Sequence, residues 1–311
     1  MILSASRRTD IPAFYSDWFY NRINQGYLLV RNPMNIHKIS KINILPEVVD
    51  CIVFWTKNPS RFMHRINELQ KYVFYFQYTI IGYGKKYEPN VPSLEESIKC
   101  FIELSKMIGP NRVIWRYDPI IINDEYNINY HRVKFNNIAE QLSKYTKRCV
   151  ISFIDYYKNI LRNMPLVQFA NLSDDEMCNV ADKLSIIGKE YGITIVSCAE
   201  RINLKKYGIE HGKCIDDKLV EEISGFPLKI GKDKSQRQEC GCVASIDIGA
   251  YNTCQHGCIY CYATYDQDQA RRNYASHDSK SDIIVGHVSD QDEIIERKVV
   301  SCKVLRQTLF D

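Results

Sequence analysis

Eight short apolar runs, separated by polar or helix-patterned stretches, constrain this chain more than any other feature. They are "ILSAS" (2–6), "YLLV" (27–30), "DCIVFW" (50–55), "YVFYFQYTI" (72–80), "RVIWRY" (112–117), "CVISFI" (149–154), "ITIVSC" (193–198) and "VASIDIG" (243–249). They are rich in β-branched and aromatic residues and lack clean polar alternation. Strands buried on both faces, as in a parallel sheet covered by helices, read this way. Helical patterns fill the gaps. Asp10 precedes "IPAFYSDWFYNRINQG", with Pro12 in the first turn and Gly26 as the stop. Ser93 with Glu96, and Ser173 with Glu176, have capping-box spacing. Residues 126–145 read as a long helix. Strands and helices in alternation predict an α/β fold, a parallel (β/α) barrel or partial barrel. A length of 311 residues suits one such domain. Residues 1–235 form the expected barrel body, and 236–311 a C-terminal segment completing the same domain. Within it, 225–240 reads as a loop, and the tail ends in the apolar "VLRQTLF" (304–310).

A hydrophobic share of 45% and a charged share of 25% leave room for a core beneath a water-facing surface. The net charge of +4 fixes no partner. "KKYGIEHGK" and "KIGKDKSQR" are basic but read as solvated loops, so nucleic acid is a partner without support of its own. No apolar run approaches the roughly 20 residues of a membrane helix. Met1 leads straight into the polar "ILSASRRTD", which does not resemble a signal peptide. The expectation is a cytoplasmic protein without a membrane partner. Thiols stay reduced there, so the twelve cysteines are core residues, metal ligands or catalytic thiols.

The residues that follow the strands are polar: Arg7, Arg8 and Asp10, then Thr56, Lys57 and Asn58, then Arg116 and Asp118, then Asp155, then Glu200 and Arg201. Any one of them is ordinary loop polarity. Their recurrence over five strands points to a site at the carboxyl ends, where parallel barrels carry their chemistry.

The stretch "YNTCQHGCIYCYATY" (251–265) holds Cys254, Cys258 and Cys261 in a Cys-x3-Cys-x2-Cys spacing. Structural zinc takes four ligands, usually as two Cys-x2-Cys pairs. Three close thiols suit three corners of a cubane iron–sulfur cluster and leave one iron open. With Tyr260 just before the last cysteine, the motif resembles the signature of the radical S-adenosylmethionine superfamily. The resemblance implies a four-iron cluster on Cys254, Cys258 and Cys261, with S-adenosylmethionine chelated by the open iron. It implies one-electron cleavage of the sulfonium to methionine and a 5′-deoxyadenosyl radical, with a reductant such as flavodoxin or ferredoxin. The superfamily carries its cluster loop near the N-terminus. Here the same strand–loop–helix order, "VASIDIG", the cysteine loop and "ATYDQDQARRNYA", stands near the C-terminus, as in a permuted chain. The longer frame of "ASRRTDIPAFY", "VFWTKNP", "WRYDP" and "CGCVASIDIGAYNTCQHGCIYCYA" resembles the DUF1848 family over nearly the whole chain. That family brings no established reaction. From their place after a central strand, Arg116 and Asp118 are expected to hold the carboxylate and ribose of S-adenosylmethionine, beside Tyr260 of the motif. Arg7, Arg8, Lys57 and Asn58 are expected to face an anionic or polar substrate.

Cys51, Cys100, Cys149, Cys178 and Cys302 lie on apolar strands or helix faces and read as core. Cys198 closes a strand, Cys214 sits in "EHGKCIDD", and Cys240 and Cys242 form "ECGC" on a loop. Four thiolates there would complete a second iron–sulfur cluster or a zinc site. Iron–sulfur is favoured because the first cluster already implies the assembly machinery. His211 is a candidate substitute ligand, though it reads more readily as a surface histidine. The strand 243–249 is expected to lie in the same parallel sheet beside strand 2–6. Fully extended, it would span roughly 20–23 Å and separate "ECGC" from the motif. The four thiols then meet only if the strand is shorter or the loop folds back. The alternative function is a non-catalytic protein whose cysteines hold zinc or a structural cluster, with nucleic acid as a partner.

Overall fold

Seven of the eight apolar runs lie side by side in one sheet of the computed structural model, which describes residues 1–155 and 172–304. The strands are β1 (Ile2–Ala5), β4 (Cys51–Thr56), β5 (Phe74–Thr79), β6 (Val113–Ile120), β7 (Arg148–Phe153), β8 (Thr194–Ser197), β9 (Glu210–His211) and β10 (Ile246–Asp247). Their order is β10-β1-β4-β5-β6-β7-β8-β9, and every pair is parallel. The fold is therefore α/β with an eight-stranded parallel sheet. β9 and β10 are its two edges, and among the described residues no ladder joins them. The gap is crossed by loop contacts: Val243 N donates to Ile215 O at 3.2 Å, and Ile215 N donates to the Cys242 sulfur at 3.4 Å.

Both faces of this sheet are covered, which is why its sequence shows little polar alternation. Successive side chains point to opposite faces. Leu3, Phe54, Phe76, Trp115 and Ile151 belong to a large core shared with the helices. Ile2, Val53, Tyr75, Ile114, Val150 and Val196 face the other way, into a second core with Leu219, Val220 and Val243.

Eight α-helices occur among the described residues. The expected helix after Asp10 is two: α1 (Ile11–Phe14), capped by Asp10 with Ala13 N at 3.0 Å, and α2 (Ser16–Gln25), ended by Gly26 at φ 78°. After α3 (Ser60–Met63), α4 (Leu94–Ile108) starts at the Ser93–Glu96 capping box. α5 (Ile128–Leu142) is capped by Asn127. α6 (Asp174–Glu190) starts at the Ser173–Glu176 box. α7 (Asp217–Ser224) and α8 (Gln267–Ala275) follow.

The run "YLLV" is not in the main sheet. It is part of β2 (Tyr27–Asn32), which pairs antiparallel with β3 (Asn35–Asn43), itself paired with β11 (Glu293–Arg297). β3 is hidden in sequence because Ile36, Ile39 and Ile42 stand three apart, a helical spacing. Of the expected apolar tail, residues 305–310 lie outside the described residues.

His131 on α5 is fully buried, between the Tyr117 hydroxyl at 2.8 Å and Ile121 O at 2.8 Å. Burial lowers its pKa from 6.5 to about 4. The unfolded chain therefore takes up a proton before the folded one does. Stability contributed by neutral His131 is present above pH 6.5 and is lost as pH falls toward 4, by about 3 kcal/mol in all. Unfolding in urea across that window should show the loss, and His131→Gln should remove it. A ring that titrates near its ordinary pKa by NMR in the folded protein overturns this reading.

Candidate functional site

A cavity of about 470 Å³ opens where the carboxyl ends of the eight parallel strands converge. β1 delivers Arg7, β4 Lys57, β5 Thr79, β6 Asp118 and β7 Ser152. Cys198 follows β8, and Cys214 follows β9. Cys254, Cys258 and Cys261 follow β10 and border the same space, as do Cys240 and Cys242. All seven expected metal-ligand cysteines thus reach one cavity. Its size falls in the range of small-molecule sites.

Sequence explains why the motif loop holds its place. β10 pairs with β1 through Leu3–Ile246 and Ser4–Asp247. The Asp247 carboxylate then accepts from Ser4 Oγ at 2.8 Å, Ser6 Oγ at 2.6 Å, Arg7 N at 2.8 Å and Arg8 Nε at 2.9 Å. Those partners and the Arg8 charge hold its pKa low despite burial. Arg8, expected at the substrate, is committed here. Gly249 leaves the strand against Ser6, where an added Cβ would come within 2.1 Å of the hydroxyl.

Beyond Gly249 the chain closes on itself at Asn252, in the left-handed region at φ 52°, which asparagine tolerates better than most residues. Asn252 N donates to Ala263 O at 2.9 Å, and its side-chain oxygen accepts from Tyr265 N at 2.9 Å and Asp266 N at 3.1 Å. The loop is then tied to the sheet. Tyr15 donates to Thr253 O at 2.8 Å, and Asn90 donates to Gln255 O at 2.8 Å. Asp10 joins three elements at once: it caps α1, accepts from Lys57 N at 2.7 Å, and pairs with His256 Nε2 at 2.8 Å. His256 sits inside the motif, packed edge-on against Phe14. Its Nδ1 is buried and has no hydrogen-bond partner among the described residues.

Behind Cys258 lies a buried charged group that sequence reasoning missed. Glu88 accepts from Lys57 Nζ at 2.6 Å and from the Tyr260 hydroxyl, while Lys57 stands 5.8 Å from the Tyr260 ring. Burial alone would lower the Lys57 pKa, but the charges of Glu88 and Cys258 offset it and the ammonium is raised. Tyr260 is thereby a support of the loop, its own hydroxyl pushed up by burial. Lys57, also expected at the substrate, is ion-paired, and Asn58 is turned to Ser60 N at 3.2 Å.

Cys258 is buried and Cys254 half-buried, and desolvation raises both thiols well above their ordinary range. Uncharged thiols in an apolar lining need a cation to become ligands, and a metal ion supplies it by deprotonating them outright. Thr264 N already donates to the Cys261 sulfur at 3.3 Å. Among the described residues, no three His, Cys, Asp or Glu side chains form the compact cage of a single metal ion. A polynuclear cluster holds its thiolates farther apart than one ion does, because iron and sulfide stand between them. The three motif thiols around an open cavity, with an unpartnered buried imidazole nitrogen beside them, fit such a group.

The second group of thiols sits across the gap between the sheet edges. Cys198 and Cys214 are 3.0 Å apart, sulfur to sulfur. Cys240 and Cys242 pack with Cys214 in one core cluster, with Cys198 against it. The strand that would have kept "ECGC" away is only two residues long, so the four thiols meet. Arg116 Nη1 donates to the Cys214 sulfur at 2.8 Å, and its other face grips Asp118. Hydrogen bonds from Cys198 and Cys242, with the Arg116 charge, draw the Cys214 pKa well down against burial. A hydrogen bond from Cys242 lowers Cys240 to about 6. Arg7 lies near enough to Cys242 and Cys214 for their charge to raise its pKa, although burial alone would lower it. Asp118 also accepts from Ser152 and borders the cavity. His211 is exposed and near Ser197 at 3.3 Å, outside the four-thiol group. Asp155 pairs with Arg237 at 2.6 Å on the rim; Glu200 and Arg201 line a neighbouring cavity.

Among the described residues no helix is long and apolar enough to cross a membrane. No curated protein matches the chain. A crystal structure from Bacteroides thetaiotaomicron VPI-5482, described as a "putative alpha-L-fucosidase", aligns at 10% identity with a TM-score of 0.28, over 73% of this chain and 84% of that one. A likeness that slight carries no argument. A family model described as a domain of unknown function, DUF1848, matches residues 2–263, a span that includes the whole sheet and all seven cavity cysteines, and the chain belongs to that family.

Proposed function

We propose that the protein is a radical S-adenosylmethionine enzyme with a four-iron cluster on Cys254, Cys258 and Cys261. One observation carries the reading. The three cysteines of a cluster-type motif open together onto one cavity at the carboxyl ends of a parallel sheet. The sheet, bridged at its edges by residues 214–243, serves as a partial barrel in this reading. When bound, the cluster supplies the electron that cleaves the sulfonium of S-adenosylmethionine to methionine and a 5′-deoxyadenosyl radical.

The chain's own groups position and enclose. Asp10, the Asn252 turn and the Lys57–Glu88–Tyr260 group fix the loop so that its three sulfurs share one wall. Asp118, held by Arg116 and Ser152, is the acceptor suited to ribose hydroxyls. Arg116 is turned to Cys214 and Asp118 and so is committed away from the methionine carboxylate. Trp55 and Tyr262 add apolar lining that excludes water from a reactive radical. A flavodoxin or ferredoxin is the reductant this chemistry needs, and the substrate is a molecule small enough for the cavity.

The test is anaerobic reconstitution followed by incubation with a strong reductant and S-adenosylmethionine. Methionine and 5′-deoxyadenosine should form, and deuterium from a labelled substrate pool should appear in the nucleoside. Zinc in place of iron, without cleavage, would instead establish the non-catalytic metal-binding reading.

A further inference from the structure

The cavity has a second wall of sulfur, and we infer that Cys198, Cys214, Cys240 and Cys242 hold a second, all-cysteine iron–sulfur cluster facing the same substrate space. The inference rests on the proposed function only for the supply of iron and sulfide.

The four thiols come from three separated segments. Cys198 ends β8, Cys214 lies in the loop after β9, and Cys240 and Cys242 precede β10. Cys198 meets Cys214 at 3.0 Å sulfur to sulfur, Cys242 is tied to the residue after Cys214 through Ile215 N at 3.4 Å, and all four pack in one core cluster and border one cavity. Four buried or half-buried thiols of unrelated segments do not meet by local geometry. The backbone brings them there. Tyr75 and Gln77, both on β5, donate to Cys214 O at 2.6 and 2.9 Å. Asp233 N donates to Cys242 O at 2.9 Å, and Cys240 N donates to Arg237 O at 3.1 Å.

The surroundings suit an anionic centre. Four thiolates on a cubane leave a net negative charge, and two guanidinium groups flank the set. Arg116 Nη1 donates to the Cys214 sulfur at 2.8 Å, and Arg7, donating to Ser245 Oγ at 3.1 Å, lines the same cavity. Ile215 N donates to the Cys242 sulfur at 3.4 Å. Such N–H···S contacts are the lever by which proteins set cluster potentials.

Iron–sulfur fits better than zinc. Structural zinc sites close four ligands tightly around one ion, commonly with Cys-x2-Cys spacing. Here the local pair is Cys240-x-Cys242, and among the described residues no three of the thiols form the cage of a single ion. The group also borders an open cavity, where a purely structural ion has no task. Seating any metal requires Cys198 and Cys214 to part from their 3.0 Å contact by side-chain rotation, since two thiolates on even a single zinc stand about 3.8 Å apart.

The experiment is metal and sulfide analysis, with EPR of the reduced protein, on anaerobically prepared full-length chain. Wild type should carry about eight irons and eight sulfides, and a Cys254→Ala/Cys258→Ala/Cys261→Ala variant about four of each. A Cys198→Ser/Cys214→Ser/Cys240→Ser/Cys242→Ser variant should keep only the motif iron. Wild type with about four irons, all lost in the triple variant, overturns the second cluster and leaves the first. Zinc at one per chain in the triple variant overturns the cluster, as does a Cys198–Cys214 disulfide that accounts for the two thiols. If the triple variant fails to fold, the wild-type iron count still decides. Iron persisting only in the triple variant's second site, with no cleavage by wild type, would separate failure of the proposed function from failure of this inference.

Discussion

Cys258→Ala will cleave no S-adenosylmethionine above the rate of protein-free controls and will lose the iron bound at the motif. Cys258 is buried on the cavity wall, and its neighbours offer no substitute ligand at that position. The nearest polar groups are already engaged: Lys57 with Glu88, and Tyr260 with the same carboxylate. His256 Nδ1 has no partner among the described residues, but Asp10 and Phe14 hold its ring in place. A cubane with two protein ligands is exposed to loss of iron at two corners instead of one. The readouts are iron content, the charge-transfer absorbance of the cluster, and 5′-deoxyadenosine formed per chain. Cys100→Ser, half-buried on α4 with its sulfur 3.7 Å from that of Met63 and outside the cavity lining, is the control and should leave all three unchanged. Full cleavage by Cys258→Ala would sink the assignment of the motif.

Glu88→Ala will destabilise the fold by about 3–5 kcal/mol, the cost of stranding one partner of a buried ion pair. Glu88 is 4% exposed, and its side chain is the shared acceptor for Lys57 and Tyr260. Removing it leaves an ammonium and a phenol in the interior without a partner. Glu88→Gln keeps an acceptor and should cost less. Replacing both members, as Lys57→Met with Glu88→Leu, removes the stranded charge and should recover much of the loss. Denaturant unfolding measures all three, and iron retention should fall in the same order because the pair backs the Cys258 loop. A loss within about 0.5 kcal/mol for Glu88→Ala, the ordinary size of a surface change, would show that the pair is solvated and incidental.

The sheet was legible because burial on both faces leaves uninterrupted apolar runs, as at Cys51–Thr56 and Phe74–Thr79. The capping boxes at Ser93 and Ser173 were legible because they are local. The two-residue β9 was not, since "EH" carries no strand signal, and β3 was masked by its three-residue isoleucine spacing. At the site, the cysteines and the strand-end polar residues were visible as residue types. Their pairings were not. Arg8 meets Asp247 and Lys57 meets Glu88 across long stretches of chain, so cations that looked available for substrate are spent on the scaffold. Nothing in a single sequence separates a cation that faces a ligand from one that faces a carboxylate 239 positions away. The convergence of "ECGC" with Cys198 and Cys214 turned on the length of one strand, which edge pairing decides and local propensity does not.

The pairing of β10 with β1 has a consequence for synthesis. The ladder Leu3–Ile246 joins two segments 243 positions apart in the chain. At roughly 5–20 residues per second, roughly 10–50 s separate their emergence from the ribosome. Throughout that interval one edge of β1 is without its mate, an open template for pairing with a neighbouring nascent chain. The cysteine loop follows β10 and emerges later still. Under the proposed function, iron delivery to the motif follows translation of the other strands of the main sheet, and any stall between β9 and β10 releases a chain with an unprotected β1 edge and without its motif cysteines.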